Sequence, residues 1–244
     1  MITVICPKYT KREVFTGGQL MIQINAKKKV MKLVEIIFDL SYLFTVLITA
    51  VLLYKTAEIG SLRWQFALMS FVLGVGDSFH LIPRIYAMAD KNNRNHTVSL
   101  GIGKFITSIT MTLFYLFLWE IGKIHYDIKV NPLLPLLIYG SAILRVALCF
   151  LPQNNWTDKN PPLKWAIIRN IPFFILGMTV MIIYLIGALL NGGSLSFLWL
   201  AILISFICYT PVVLYSSKNP KVGMLMLPKS CAYAAIVLMG FSIT

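Results

Sequence analysis

Two short runs carry the side chains best able to do chemistry. Glu35, Asp39 and Tyr42 recur at i, i+4 and i+7, while Asp77, His80 and Arg84, in Gly-Asp-Ser-Phe-His-Leu-Ile-Pro-Arg, recur at i, i+3 and i+7. Either spacing puts its three side chains on one face of an α-helix. A carboxylate one turn from an imidazole can orient a water or exchange a proton, so Asp77 and His80 are the catalytic candidates. Arg145, Arg169 with Asn170, and Lys229 follow farther along the chain. Guanidinium and ammonium groups brought together suit a phosphate or carboxylate. Asp39, Arg84, Arg145, Arg169, Asn170 and Lys229 are therefore the expected ligand-binding set.

The elements that must position these residues are membrane spans. Of 244 residues, 58% are apolar and only 13% charged, against roughly 25% charged in an average soluble domain. The mean hydropathy is +0.77. These values exclude a disordered chain, a disulfide scaffold and an ordinary soluble enzyme, and predict an all-α polytopic membrane protein. Seven apolar stretches, 33–54, 63–86, 98–121, 133–151, 165–189, 195–216 and 220–243, are each long enough to cross a hydrocarbon core of ~30 Å as a helix. Residues 1–32 then form a basic N-terminal segment and 33–244 one seven-helix transmembrane domain, with no stretch left for a soluble domain. Residues 1–32 lack an apolar core of signal-peptide length, so the first span is expected to be its own insertion signal.

The formal charge of +13 arises from 22 Lys and Arg against 9 Asp and Glu. With the N-terminus in the cytoplasm, fourteen bases outside the spans fall on the cytoplasmic side: Lys8, Lys11, Arg12, Lys27, Lys28, Lys29, Lys32, Arg84, Lys91, Arg94, Lys159, Lys164, Lys218 and Lys221. Only Lys55, Arg63, Lys123 and Lys129 fall on the other. This asymmetry predicts N-in, C-out topology in the cell (cytoplasmic) membrane, multi-pass, with the bases at anionic headgroups and no nucleic-acid partner. Cys6, Cys149, Cys208 and Cys231 are far apart in sequence and read as packing residues. Gly17-Gly18 ahead of Met21 matches what a purine-rich ribosome-binding site would encode. Translation from Met21 of a bacterial gene and a short disordered or interfacial tail are the two expectations for residues 1–20.

Placing each polar residue at 1.5 Å per residue along its span gives a depth. Asp39, Asp77, His80, Lys104, Arg145, Arg169 and Lys229 fall in the cytoplasmic half, Lys229 roughly 13 Å in. Glu120, beside Trp119, falls at the opposite interface. The outer half carries no polar column, so the pattern predicts a polar pocket open to the cytoplasm or inner leaflet rather than a conduit. The plainer readings are snorkelling of Arg84, Lys104 and Arg169 to headgroups, and structural ion pairs of Asp39 or Asp77 with Arg145 or Lys229.

Several chemistries meet this pattern. The topology and cytoplasm-facing site are similar to those of the adiponectin-receptor and haemolysin III class, which implies zinc held by several histidines and an acid. Here His96 and His125 lie in loops on opposite sides, so a three-histidine site cannot be built. Asp39, Asp77 and His80 are what remains for a metal-dependent hydrolase, and no metal ligand is assigned. Lys229 resembles the Schiff-base lysine of retinal proteins, and the inverted topology resembles heliorhodopsins, although helix 3 carries Lys104 where a counter-ion carboxylate is expected. No serine sits in a triad context. The leading expectation is binding of a small anionic or lipid-headgroup ligand, with lipid-modifying chemistry as its extension. A small-solute or proton-coupled transporter is the alternative, against which the absence of an inverted repeat counts. A structural bundle is the third. Gly-Asp-Ser-Phe-His-Leu-Ile-Pro-Arg, Leu-Pro-Gln-Asn-Asn-Trp and Arg-Asn-Ile-Pro-Phe resemble runs in uncharacterised seven-helix membrane proteins of Firmicutes. That resemblance covers the chain from about residue 33 onward, implies the fold and carries no activity. Cofactor and oligomeric state stay open.

Overall fold

A computed structural model describes residues 17–90, 94–128, 131–216 and 219–243. Cys6 and residues 1–16, most of the tail that the start-site expectation concerns, lie outside them. The helices are α1 (Gly17–Thr56), α2 (Leu62–Ala89), α3 (Thr97–His125), α4 (Leu133–Phe150), α5 (Leu163–Asn191), α6 (Leu198–Tyr215) and α7 (Met226–Leu238). Short 3₁₀ turns cover Pro152–Asn154, Pro220–Leu225 and Met239–Ser242, and no strand occurs among the described residues. Seven segments are long and apolar enough to cross a membrane, as expected. The chain falls into two compact units, Met1–Ile37 and Phe38–Thr244. The first holds the early turns of α1; the second holds α2–α7 and every candidate catalytic and ligand-binding residue.

Two elements differ from the sequence reading for physical reasons. α1 is helical from Gly17, well before the apolar stretch at 33, because a helix does not end where hydropathy falls; Lys27, Lys28 and Lys29 are good helix formers. The seventh span is a 3₁₀ turn, a helix and a second 3₁₀ turn. Pro220 starts the first 3₁₀ turn, and Pro228 sits in the first turn of α7, where its missing N–H costs nothing.

Local signals set the other ends. Ser61 caps α2, its hydroxyl accepting from the Trp64 amide at 3.2 Å. α5 stops at Gly192 and Gly193, whose φ of +64° and +101° an L side chain would strain. Pro83, Pro172 and Pro211 lie inside α2, α5 and α6; each lacks the N–H of one ladder hydrogen bond.

The interior is aromatic. Phe66, Phe114, Tyr115, Trp119 and Tyr184 are fully buried, and Tyr115, Phe173 and Phe206 stack edge-on or tilted with centroids 5.2–5.7 Å apart. Large apolar side chains such as Phe44, Leu136 and Leu189 face outward, as lipid contact requires. Helices α2 and α3 pack at backbone distance. A Cβ on Gly76 would stand 2.0 Å from Thr110 Oγ1, and one on Gly103 would stand 2.2 Å from the Phe79 carbonyl oxygen. The Thr107 hydroxyl donates to the Gly76 carbonyl at 2.9 Å. Small residues permit this approach, as they do between membrane helices generally.

Candidate functional site

Asp77 sits one residue past Gly76, so the close α2–α3 approach fixes its backbone. Its carboxylate accepts from the Tyr42 hydroxyl of α1 at 2.6 Å, and the residue is only 9% exposed. Asp39, one turn before Tyr42, is buried as well. His80 follows Asp77 by one turn, against the Gly103 backbone of α3. Its buried Nδ1 has no hydrogen-bond partner, and Arg84, Lys104 and Lys229 all act on the ring by charge.

Among the described residues Arg145 of α4 is the most deeply buried cation, at 2% exposure. Its guanidinium carbon lies 3.4 Å from the centre of the Phe173 ring of α5. Nε and Nη1 have no hydrogen-bond partner, and among the described residues Arg145 makes no ion pair. A ring face offers a cation some compensation, but less than the hydrogen bonds it has lost.

Lys229, near the start of α7, is buried between two tyrosines. Its Nζ stands 5.0 Å from the Tyr209 centroid and 4.9 Å from that of Tyr233. Asp77 attracts it and Arg145 repels it without direct contact. Arg169 of α5 is clamped: its Nη1 donates to Asn154 Oδ1 at 2.9 Å, and its guanidinium lies 4.1 Å over Trp156. Asn154 in turn donates to the carbonyls of Leu148, Cys149 and Leu151, closing the end of α4. Asn170 uses both ends of its amide, donating to the Ala166 carbonyl at 2.8 Å and accepting from the Tyr209 hydroxyl at 2.9 Å.

Charge therefore runs as a chain through one end of the bundle. Asp77 acts on Lys229, Lys229 on Arg145, Arg145 on Arg169, and Arg169 and Arg84 on Lys104. Cations dominate it. The sequence reading named the charged members and Tyr42, but did not single out Phe173, Tyr233 or Asn154 among the groups that hold them. Tyr233 stands i+4 from Lys229, a spacing that could have been read. Phe173 reaches Arg145 from another helix, and nothing in its local sequence marks it. Asn154 and Trp156 lie in the Leu-Pro-Gln-Asn-Asn-Trp run, where Asn155 adopts a positive φ of 45°.

Two grooves open on the outer surface. One of about 220 Å³ lies between α5 and α6, lined by Asn170, Ile171, Phe173, Phe174, Phe206, Tyr209, Val213 and neighbours. The other, about 430 Å³, lies between α4 and α5, lined by Leu133, Leu136, Leu137, Ser141 and Ile175 among others. Of the expected ligand-binding residues only Asn170 lines either groove; Arg145, Arg169 and Lys229 lie against aromatic rings. Among the described residues no three His, Cys, Asp or Glu side chains converge as metal ligands, so Asp39, Asp77 and His80 do not form a donor set.

The opposite end is different in kind. Glu120 pairs with Lys123 at 2.6 Å and accepts from the Tyr139 hydroxyl. Arg63 donates to the Ile243 carbonyl. Compared with protein-family models, curated proteins and solved structures, the chain matches none.

Proposed function

We propose that this multi-pass protein, N-in and C-out in the cytoplasmic membrane, binds a small anion or the anionic headgroup of a lipid at the cation-rich end of its bundle. Arg145 carries the reading. A guanidinium at 2% exposure with two nitrogens lacking partners is costly in an apolar interior unless an anion compensates it. Lys229 and Arg169 place further positive charge around the same point. A phosphate or carboxylate there would gain charge-assisted hydrogen bonds and relieve cation–cation repulsion together. Asp77 and His80 lie at the margin, where they would orient a water or pass a proton to a bound group.

Thermal unfolding of the full chain in a neutral maltoside detergent tests this. Inorganic phosphate, or phosphatidylglycerol added to the micelles, should raise the melting temperature above that in chloride of equal ionic strength or with phosphatidylcholine. At about 100 times the dissociation constant the gain is ~2.7 kcal/mol, or roughly 5–10 °C for a chain of this size. Arg145→Met and Lys229→Met should lose it. A wild-type protein indifferent to both probes, or an Arg145→Met protein that responds as wild type, overturns the reading.

A further inference from the structure

The α5–α6 groove is mostly apolar, its polar lining residues being Asn170, Tyr209 and Thr210, the last turned to the Phe206 carbonyl. The Tyr209 hydroxyl donates to Asn170. This pair backs directly onto the cation cluster. The face of Tyr209 carries the Lys229 ammonium at 5.0 Å, and Phe173, another wall residue, carries the Arg145 guanidinium at 3.4 Å. One ring thus separates the groove from each buried cation.

The groove faces the bilayer. Ile171 and Phe174 on its rim are 54% and 47% exposed. Each helix that forms it carries an internal proline beside the groove, Pro172 in α5 and Pro211 in α6, a residue that commonly kinks a helix. At about 220 Å³ it is smaller than a usual small-molecule pocket. A narrow, laterally open, apolar slot suits a hydrocarbon chain better than a compact solute.

We infer that the α5–α6 groove holds an acyl chain of an anionic bilayer phospholipid, whose headgroup meets Asn170 and Tyr209 in front of Arg145 and Lys229. This rests on the anion-binding reading and narrows it: the ligand comes sideways from the bilayer. Charge complementarity selects the occupant. A neutral lipid gains the slot but nothing from the cations, and a free anion gains the cations but nothing from the slot.

Native mass spectrometry of the full chain, released from mixed micelles of phosphatidylglycerol and phosphatidylcholine, tests it. Wild type should retain one phosphatidylglycerol with about tenfold preference over phosphatidylcholine, a difference of ~1.4 kcal/mol. Val213→Trp fills the groove from α6, and Ile167→Trp fills it from α5 should the first fail to fold. Either should lower that retention about tenfold while leaving the melting response to inorganic phosphate as in wild type. Leu136→Trp, in the α4–α5 groove, should retain lipid as wild type does. The inference falls if the groove-filled variants retain phosphatidylglycerol undiminished, if phosphatidylcholine competes equally, or if Leu136→Trp loses as much. In each case a surviving phosphate response leaves anion binding standing, and a phosphate response absent along with lipid selection removes both.

Discussion

Glu120 and Asp77 are both carboxylates within spans, and each accepts a hydrogen bond from a tyrosine of another helix. Their surroundings part them. Glu120 is 34% exposed and touches Lys123 at 2.6 Å, so its charge is settled by a neighbour one turn away on the same helix. Asp77 is 9% exposed and acts on Lys229 only from a distance, across a cluster that also holds Arg145, Arg169, Lys104 and Arg84. One end of the bundle neutralises itself locally near solvent. The other buries Arg145 and Lys229 among aromatic rings. Ion pairs placed for stability look like the first arrangement, whereas charge held without contact neutralisation is what a site for an anion requires.

The largest expected effect breaks the fragile balance at the Asp77 end. Asp77→Asn keeps size and shape but removes the charge acting on Lys229, leaving a buried ammonium less compensated. Removing one partner of a buried charge pair costs about 3–5 kcal/mol, measurable by sodium dodecyl sulfate titration of the protein in mixed micelles. Lys229→Met in the same chain should return most of that loss. If Asp77→Asn unfolds like wild type, Asp77 does not neutralise Lys229, and the contrast with Glu120 disappears.

How much of this was legible follows from what hydropathy encodes. All seven spans could be read, because a bilayer tests length and apolarity alone. The gathering of Asp77, His80, Lys104, Arg145, Arg169 and Lys229 at one end could also be read, since consecutive spans alternate in direction and a residue's position along its span gives its depth. Which ring takes which cation could not. Arg145 rests on Phe173 and Arg169 on Trp156, contacts made across helix or loop boundaries that no periodicity reports. The expected open polar pocket assumed that charged faces leave space between them. Tyr209, Tyr233 and Phe173 instead pack against the cations, and of the expected ligand-binding residues only Asn170 lines a groove. Hydropathy likewise could not place the α1 start at Gly17, because helix propensity continues where apolarity ends.

A smaller effect of opposite sign sharpens the contrast. Arg145→Met replaces a desolvated cation with an apolar side chain of similar length over the Phe173 ring. In anion-free neutral detergent this should stabilise the protein by about 1–4 kcal/mol, the range seen when buried charges give way to well-packed apolar groups. The same detergent titration reads it. A gain in stability together with loss of the phosphate response would mark Arg145 as a residue kept for binding at the expense of the fold. A loss of several kcal/mol would instead mean that the protein compensates Arg145 from within, and the surplus-charge argument would fail.

The smallest expected effect lies at the other end. Glu120 and Lys123 stand i, i+3 on α3, and both side chains are about a third exposed, at 34% and 36%. A double-mutant cycle of Glu120→Gln and Lys123→Met should give a coupling below about 1 kcal/mol, and it should shrink further as salt is raised, because charges open to solvent are screened within a Debye length. The Asp77–Lys229 cycle, shielded by Tyr209 and Tyr233, should keep its coupling over the same salt range. Salt dependence at Glu120 and salt independence at Asp77 would together show that depth, more than charge type, separates the two carboxylates. Equal couplings that fade together would mean that water reaches both ends alike, and that the cations around Arg145 need no ligand to offset them.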